Sequence, residues 1–322
     1  MMRKFFGITL GFLLIVSFAS AGFAKNYNGK KILFVDSYHE GYAWSDGITE
    51  GIQKTLDGTG VELKIIRMDT KRNGSDAFKK EAASKVKSAI ETFKPDVVIA
   101  ADDNASKYLV VPYFKDADLP FVFCGVNWDA AVYGYPYKNV TGMVEVTPIP
   151  QILEQLRPYA KGDRIGMIGP DIATAHKEAD NYRKIFNYTV TDYYAKDFGD
   201  WKKGFKELQG KVDMLIIDSD GGLYKDHADE MKAYVEANTE IPTGSAYDFM
   251  APYALLTYGK VAQEQGIWSA EAALKILDGS SPADIPLVKN QEGILIINIR
   301  IAKKMGAEVP FEILESAEKV IE

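Results

Sequence analysis

KILFVDSYHEGYAWSDGITEGIQKTL, residues 31–56, sets an apolar β-branched run ahead of a loop of rings and carboxylates, and then an amphipathic repeat. Ile48, Ile52 and Leu56 fall four apart, which places them on one stripe of a helix, and Ser45 stands where an N-cap belongs. Strand, loop, helix is half of a parallel βαβ unit, and the same grammar continues through VELKIIRM, SDAFKKEAASKVKSAIETF, PDVVIAA, NASKYLVVPYF and PFVFCGV. In the second helix Phe78, Ala82, Ile90 and Phe93 fall roughly in phase. Such alternation predicts an α/β fold, a doubly wound parallel sheet with helices on both faces.

After NVTGMVEVTPIPQILEQLRPYA the pattern restarts in DRIGMIGP, HKEADNYRKIF, VDMLIID and IPTGSAYDF, so a second lobe of the same kind is expected. The C-terminal part adds a long helix within LLTYGKVAQEQGIWSAEAALKIL, strands around IPLVK and GILIINI, and a helix-like FEILESAEKVIE. A chain of 322 residues is long for one core and suits two cores of roughly 130 to 150 residues.

Residues 1–24, MMRKFFGITLGFLLIVSFASAGFA, have a basic start, an apolar run and small residues at Gly22 and Ala24. They are expected to be a secretory signal peptide cleaved after Ala24, with Ala21 as a second site; an uncleaved anchor is the alternative. Without Arg3 and Lys4 the chain has 36 basic against 45 acidic residues, a net charge of −9 that argues against a nucleic-acid partner. One cysteine, Cys124, leaves no intramolecular disulfide and sits in an apolar run as a core residue. No cysteine closes the signal region to carry a lipid, so the expectation is a soluble, monomeric, periplasmic or extracellular protein.

Ligands of open parallel sheets bind beyond the carboxyl ends of the strands, where helix N-termini also point. In the first lobe those ends carry Tyr38, Tyr42, Trp44 and Ser45, then Asp102, Asp103, Asn104 and Ser106, then Asn127 and Trp128. In the second they carry Ser219, Asp220, Tyr247 and Asp248. Rings there offer flat walls to a small molecule; the alternative is a loop that tucks its own rings against the core. The same loops hold carboxylates and no arginine, which disfavours phosphate, sulfate or a dicarboxylate. A zwitterion fits them: an aspartate such as Asp103 for its ammonium, helix amides near Ser45 or Asn104 for its carboxylate, rings for its side chain. A nucleoside or sugar is the alternative, because aspartate and asparagine also bind hydroxyls.

Catalysis, metal and cofactor find little support. His39, His176 and His227 share no metal-ligand spacing with each other or with Cys124. Neither a nucleophile elbow, a P-loop nor a dinucleotide fingerprint is present.

KPDVVIAADDNAS, LPFVFCGVN, NVTGMVE, ALLTYG and GILIINIRIAKKMGAEVP, spread from about residue 30 to the end, resemble the ABC-transporter substrate-binding proteins with a type I periplasmic-binding fold. The branch is the one with tryptophan- and tyrosine-binding members. DDNAS and VFCGVN are also similar to sensor domains attached to some histidine kinases. The resemblance implies two lobes joined by three crossovers and closing on a small molecule, which is handed to a membrane ABC permease or, as the alternative, sensed and presented to a signalling receptor. It places the crossovers at NVTGMVE, around SAYDFMAPYALLTYG and near Lys289. The expected division is 25–143 with 253–288 for one lobe and 144–252 with 289–322 for the other. ADDNAS stands where many members carry a glycine, a threonine and a proline, which leaves the ligand open.

Overall fold

The structure, a computed structural model, describes residues 26–219, 222–223 and 226–322. The expected signal segment and Asp220 lie outside them. From the N-terminus the chain forms β1 (Lys31–Asp36), α1 (Ala43–Leu56), β2 (Glu62–Arg67), α2 (Asp76–Phe93) and β3 (Val97–Ala101). Next come two short helices, α3 (Asp102–Ala105) and α4 (Val111–Phe114), then β4 (Phe121–Asn127) and β5 (Val140–Glu145). β1, β3 and β4 are buried almost throughout, as strands covered on both faces must be.

Beyond β5 follow α5 (Ile149–Leu156), β6 (Ile165–Pro170), α6 (Ala173–Phe186), β7 (Val190–Ala195), α7 (Phe198–Gln209), β8 (Met214–Ile217), α8 (Ala228–Asn238), β9 (Thr243–Ser245) and β10 (Leu256–Lys260). The C-terminal part contributes α9 (Ala262–Leu277), β11 (Val288–Lys289), β12 (Gly293–Asn298), α10 (Ile299–Met305), α11 (Phe311–Ser316) and β13 (Lys319–Ile321). Two sheets result, in the orders β11-β5-β4-β3-β1-β2 and β13-β12-β10-β9-β8-β6-β7. Every described pairing is parallel except β10 with β12. The α/β, doubly wound architecture is the expected one, with that antiparallel pair as an addition.

The chain passes between the sheets three times: after Glu145, after Lys260, and between Lys289 and Gly293. Segment 253–288, expected in one lobe, is divided by these pairings. Leu256–Lys260 joins the second sheet through β9 and β12, while α9 covers the first sheet beside α1. Glycines bring those two helices together. A Cβ on Gly51 would stand 2.4 Å from the Gln263 carbonyl, and one on Gly266 would stand 2.1 Å from that of Ile48.

Ile48, Ile52 and Leu56 are buried, as their spacing predicts. Ser45 is not the N-cap: α1 starts at Ala43, and Ser45 lies inside it, its hydroxyl donating to Asp36 Oδ1 at 2.8 Å. In α2 the buried stripe is Ala83, Val86 and Ile90, with Ala82 and Phe93 only partly covered. The C-terminal FEILESAEKVIE is helical only to Ser316; Lys319–Ile321 turns into an edge strand on β12. Cys124 is fully buried in β4, where burial pushes its thiol up.

Candidate ligand-binding site

The carboxyl ends of β1, β3, β4, β5 and β10 converge on one cavity of about 300 Å³. Tyr38, Tyr42, Trp44, Lys71, Asp102, Asn127, Glu145 and Lys260 line it. Its floor is built from β1 outward. Asp36, fully buried, accepts the Tyr38 N–H at 2.9 Å and the Ser45 hydroxyl, and lies 3.4 Å from the Arg67 guanidinium. Those contacts fix where the loop leaves the strand, and Tyr38 and Tyr42 then meet edge to face with centroids 5.4 Å apart.

Asp102 opens α3 with a left-handed backbone, φ 68°, and is 1% exposed. Its Oδ1 accepts the Trp44 indole N–H at 3.1 Å. Gly125, itself at φ 65°, makes the room: a Cβ there would stand 2.7 Å from that oxygen. Among the described residues Oδ2 of Asp102 has no hydrogen-bond partner. Burial holds this carboxyl well above its ordinary range, and the nearby charges of Glu145 and Asp36 push it the same way.

Two cations face the cavity. Lys260 is ion-paired with Glu145 and lies 5.6 Å from the Trp44 ring centre. Lys71 donates to the Tyr42 hydroxyl at 3.2 Å and sits 5.2 and 4.7 Å from the ring centres of Tyr38 and Tyr42.

The Asp102-Asp103-Asn104 triplet is split. Asp103, Asn104 and Trp128 line an adjoining cavity of about 520 Å³ that shares Asn127 and is lined also by Lys177, Asn181 and Lys184 of α6. The Asp103 carboxylate is already occupied, by Asn127 Nδ2 at 2.7 Å and the Tyr133 hydroxyl at 2.8 Å. Asn104 donates to Thr70 Oγ1 at 2.9 Å. Ser45 and Ser106 are fully buried and line neither cavity.

Trp128 crosses from the first sheet's loops into the second unit. It is 6% exposed, packs beside Tyr182 and Phe186 of α6, and donates its indole N–H to Glu178 Oε1 at 3.0 Å. Thr147, within the first crossover, donates to the other Glu178 oxygen at 2.9 Å.

Of the second-sheet candidates, Ser219 and Tyr247 are partly buried and Asp248 is exposed, its carboxylate against Gly259, where a Cβ would stand 2.0 Å from Oδ1. None of the three lines the 300 Å³ cavity. Asp218, a neighbour that the sequence reading missed, is 3% exposed and pushed up to about 7 by burial, with Glu178 adding to the rise and the Tyr247 hydroxyl opposing it. Glu145, Lys71 and Lys260 were also missed. Among the described residues no group of three or more His, Cys, Asp or Glu could hold a metal ion, and no helix is long and apolar enough to cross a membrane.

Paired α/β units joined by three crossings place a polar, ring-walled cavity at the strand ends, where open parallel sheets take their ligands. The sequence model of the ABC transporter substrate binding proteins matches residues 40–321. The chain belongs to that family. This substrate-binding protein is 23% identical, over 271 residues covering 79% of it and 74% of the relative, to a tyrosine-binding protein of Clostridioides difficile (strain R20291). Its fold matches the ligand-free, open structure of a substrate-binding protein with adhesive properties from Clostridium difficile, with a TM-score of 0.67 at 22% identity over 91% of this chain and 99% of that one. A second match is the ABC domain in complex with L-Trp from Streptococcus pneumonia, with a TM-score of 0.51 at 19% identity over 91% and 100% of the two chains. At such identities the solved structures establish the type I periplasmic-binding fold and no more.

Proposed function

We propose that this substrate-binding protein captures an amino acid, aromatic for preference, in the Tyr38–Trp44–Asp102 cavity and delivers it to a membrane ABC permease. The observation that carries the reading is Asp102, a buried carboxyl that lines a cavity walled by Tyr38, Tyr42 and Trp44 and whose Oδ2 has no hydrogen-bond partner among the described residues. Burial and neighbouring acids raise the cost of charging that carboxyl; an arriving ammonium removes the cost by replacing the proton. The rings accept a flat side chain. Asp103, already satisfied by Asn127 and Tyr133, passes the ammonium role expected of it to Asp102. A tyrosine-binding relative and an L-Trp complex within the same fold point the same way.

Function here is capture and release, with the protein exported after removal of residues 1–24 and working as a monomer. Calorimetry against amino acids, nucleosides and sugars tests the ligand class. Binding of aromatic amino acids, weakened in Trp44→Ala and Asp102→Asn, is expected; the latter should lose about 1.5 to 3 kcal/mol, the worth of a hydrogen bond to a charged group. Binding of a sugar or nucleoside with no response to any amino acid would overturn the ligand class and leave the transport reading standing.

A further inference from the structure

Lys71 is the cavity's second cation, and it differs from the first in having no anion. Lys260 is neutralised by Glu145, whereas among the described residues Lys71 forms no ion pair. Its position is nonetheless built. The chain after β2 is stitched to the chain after β1 by three hydrogen bonds: Asp69 N–H to Tyr38 O at 2.8 Å, Thr70 N–H to Ser37 O at 3.0 Å, and the Thr70 hydroxyl to that same Ser37 oxygen at 2.6 Å. Thr70 is 3% exposed, and Asp69 turns the chain through a left-handed conformation, φ 53°. The next residue is thereby delivered onto the faces of Tyr38 and Tyr42.

A lysine above two rings, in a cavity that also holds the unmatched carboxyl of Asp102, makes the site electrically two-ended. Asp102, beside the Glu145–Lys260 pair, holds one end and Lys71 the other, with the Tyr38 ring adjoining both: Lys71 Nζ is 5.2 Å from its centre, and the Asp102 charge bears on its hydroxyl. We propose that Lys71 is the carboxylate anchor of the site, fixing the orientation of the bound amino acid and rejecting amines that lack a carboxylate. This rests on the amino-acid reading above and deepens it: the ligand class becomes zwitterions, and decarboxylated amines are excluded although their rings and ammonium would fit.

The experiment compares L-tyrosine and L-tryptophan with tyramine and tryptamine by calorimetry, on the wild-type protein and on Lys71→Met and Lys71→Arg. Methionine keeps an unbranched apolar stem over the two rings, and arginine keeps the charge. The wild type should prefer each amino acid over its amine by at least about tenfold, the span of one charge-assisted contact. Lys71→Met should lose most of that ratio by weakening the amino acid alone, and Lys71→Arg should restore it. If the amino acids bind and the ratio is unchanged in Lys71→Met, the anchor assignment is wrong and the carboxylate is held elsewhere. An equal loss for both ligand types would also overturn it, since Lys71 would then act only by bracing the tyrosines. If no amino acid binds the wild type, the amino-acid reading fails first and takes the anchor with it.

Discussion

Glu145 is the last residue of β5, Lys260 is the last residue of β10, and their side chains form an ion pair at the point where the chain changes sheets. The two strands hold matching places, each fifth when its sheet is counted from β2 or from β7. Side-chain exposure is 8% for Glu145 and 24% for Lys260. Each charge is therefore largely removed from water and depends on the other.

Breaking that pair from one side should cost more than removing it whole. Lys260→Met leaves Glu145 unpaired beside Asp102 and should destabilise the protein by up to the roughly 3 kcal/mol at the lower end for a buried pair, because the lysine is partly solvated. Adding Glu145→Gln to it should recover part of the loss. Urea unfolding of the single and double variants measures the coupling. Strict additivity would show that the contact contributes nothing.

Trp128 is expected to act on stability and only weakly on ligand affinity, because its ring is seated against α6. Trp128→Phe keeps a ring beside Tyr182 and Phe186 but removes the donor to partly buried Glu178, a loss of about 1 to 3 kcal/mol. Trp128→Ala adds a cavity and should lose about 3 to 5 kcal/mol. Denaturation gives the first quantity and calorimetry on the still-folded variant the second. A drop in affinity without a drop in stability would return Trp128 to the ligand wall.

Asp218 gives a pH dependence of stated sign. Its carboxyl sits near 7 when folded against an ordinary 3.8, so the folded chain holds that proton more tightly than the unfolded chain does. Its stability contribution is complete below pH 3.8 and is lost as pH rises towards 7. Asp218→Asn should thus gain on the wild type from about pH 4 to pH 7 and hold a constant margin above that. Urea midpoints across this range provide the test; a margin that shrinks with rising pH would mean that Asp218 is ionised in the folded state.

Much of this architecture was legible because its signals are local. Ile48, Ile52 and Leu56 announce their helix by spacing, and the apolar runs of β1, β3 and β4 announce strands covered on both faces. Tyr38, Tyr42, Trp44, Asp102 and Asn127 share one cavity because strand ends in a parallel sheet share one edge. What escaped depends on pairing at a distance. Glu145 and Lys260 are 115 residues apart and look like ordinary strand-end charges until the sheets are placed side by side. Lys71 was overlooked because it follows β2, an edge strand whose exit carries no ring of its own. Ser45 and Ser106 share the signature of ligand-facing residues, yet α1 and the π-helical turn Ser106–Val110 hold them inward, fully buried. Asp220 lies outside the described residues.

The final prediction concerns motion. The three crossings at 145–149, 260–262 and 289–293 are short, and the two sheets carry their own covering helices, so relative rotation of the units needs dihedral changes at few residues. Closing the cleft would bring Tyr247 and Asp218 nearer to the Asp102 side and take the ligand out of water. The radius of gyration from small-angle scattering should fall when an amino acid identified by calorimetry is added, and the melting temperature should rise by mass action whether or not the units move. A raised melting temperature with an unchanged radius would show that the ligand is held by one unit alone; then Asp218→Asn and Tyr247→Phe should leave its affinity untouched.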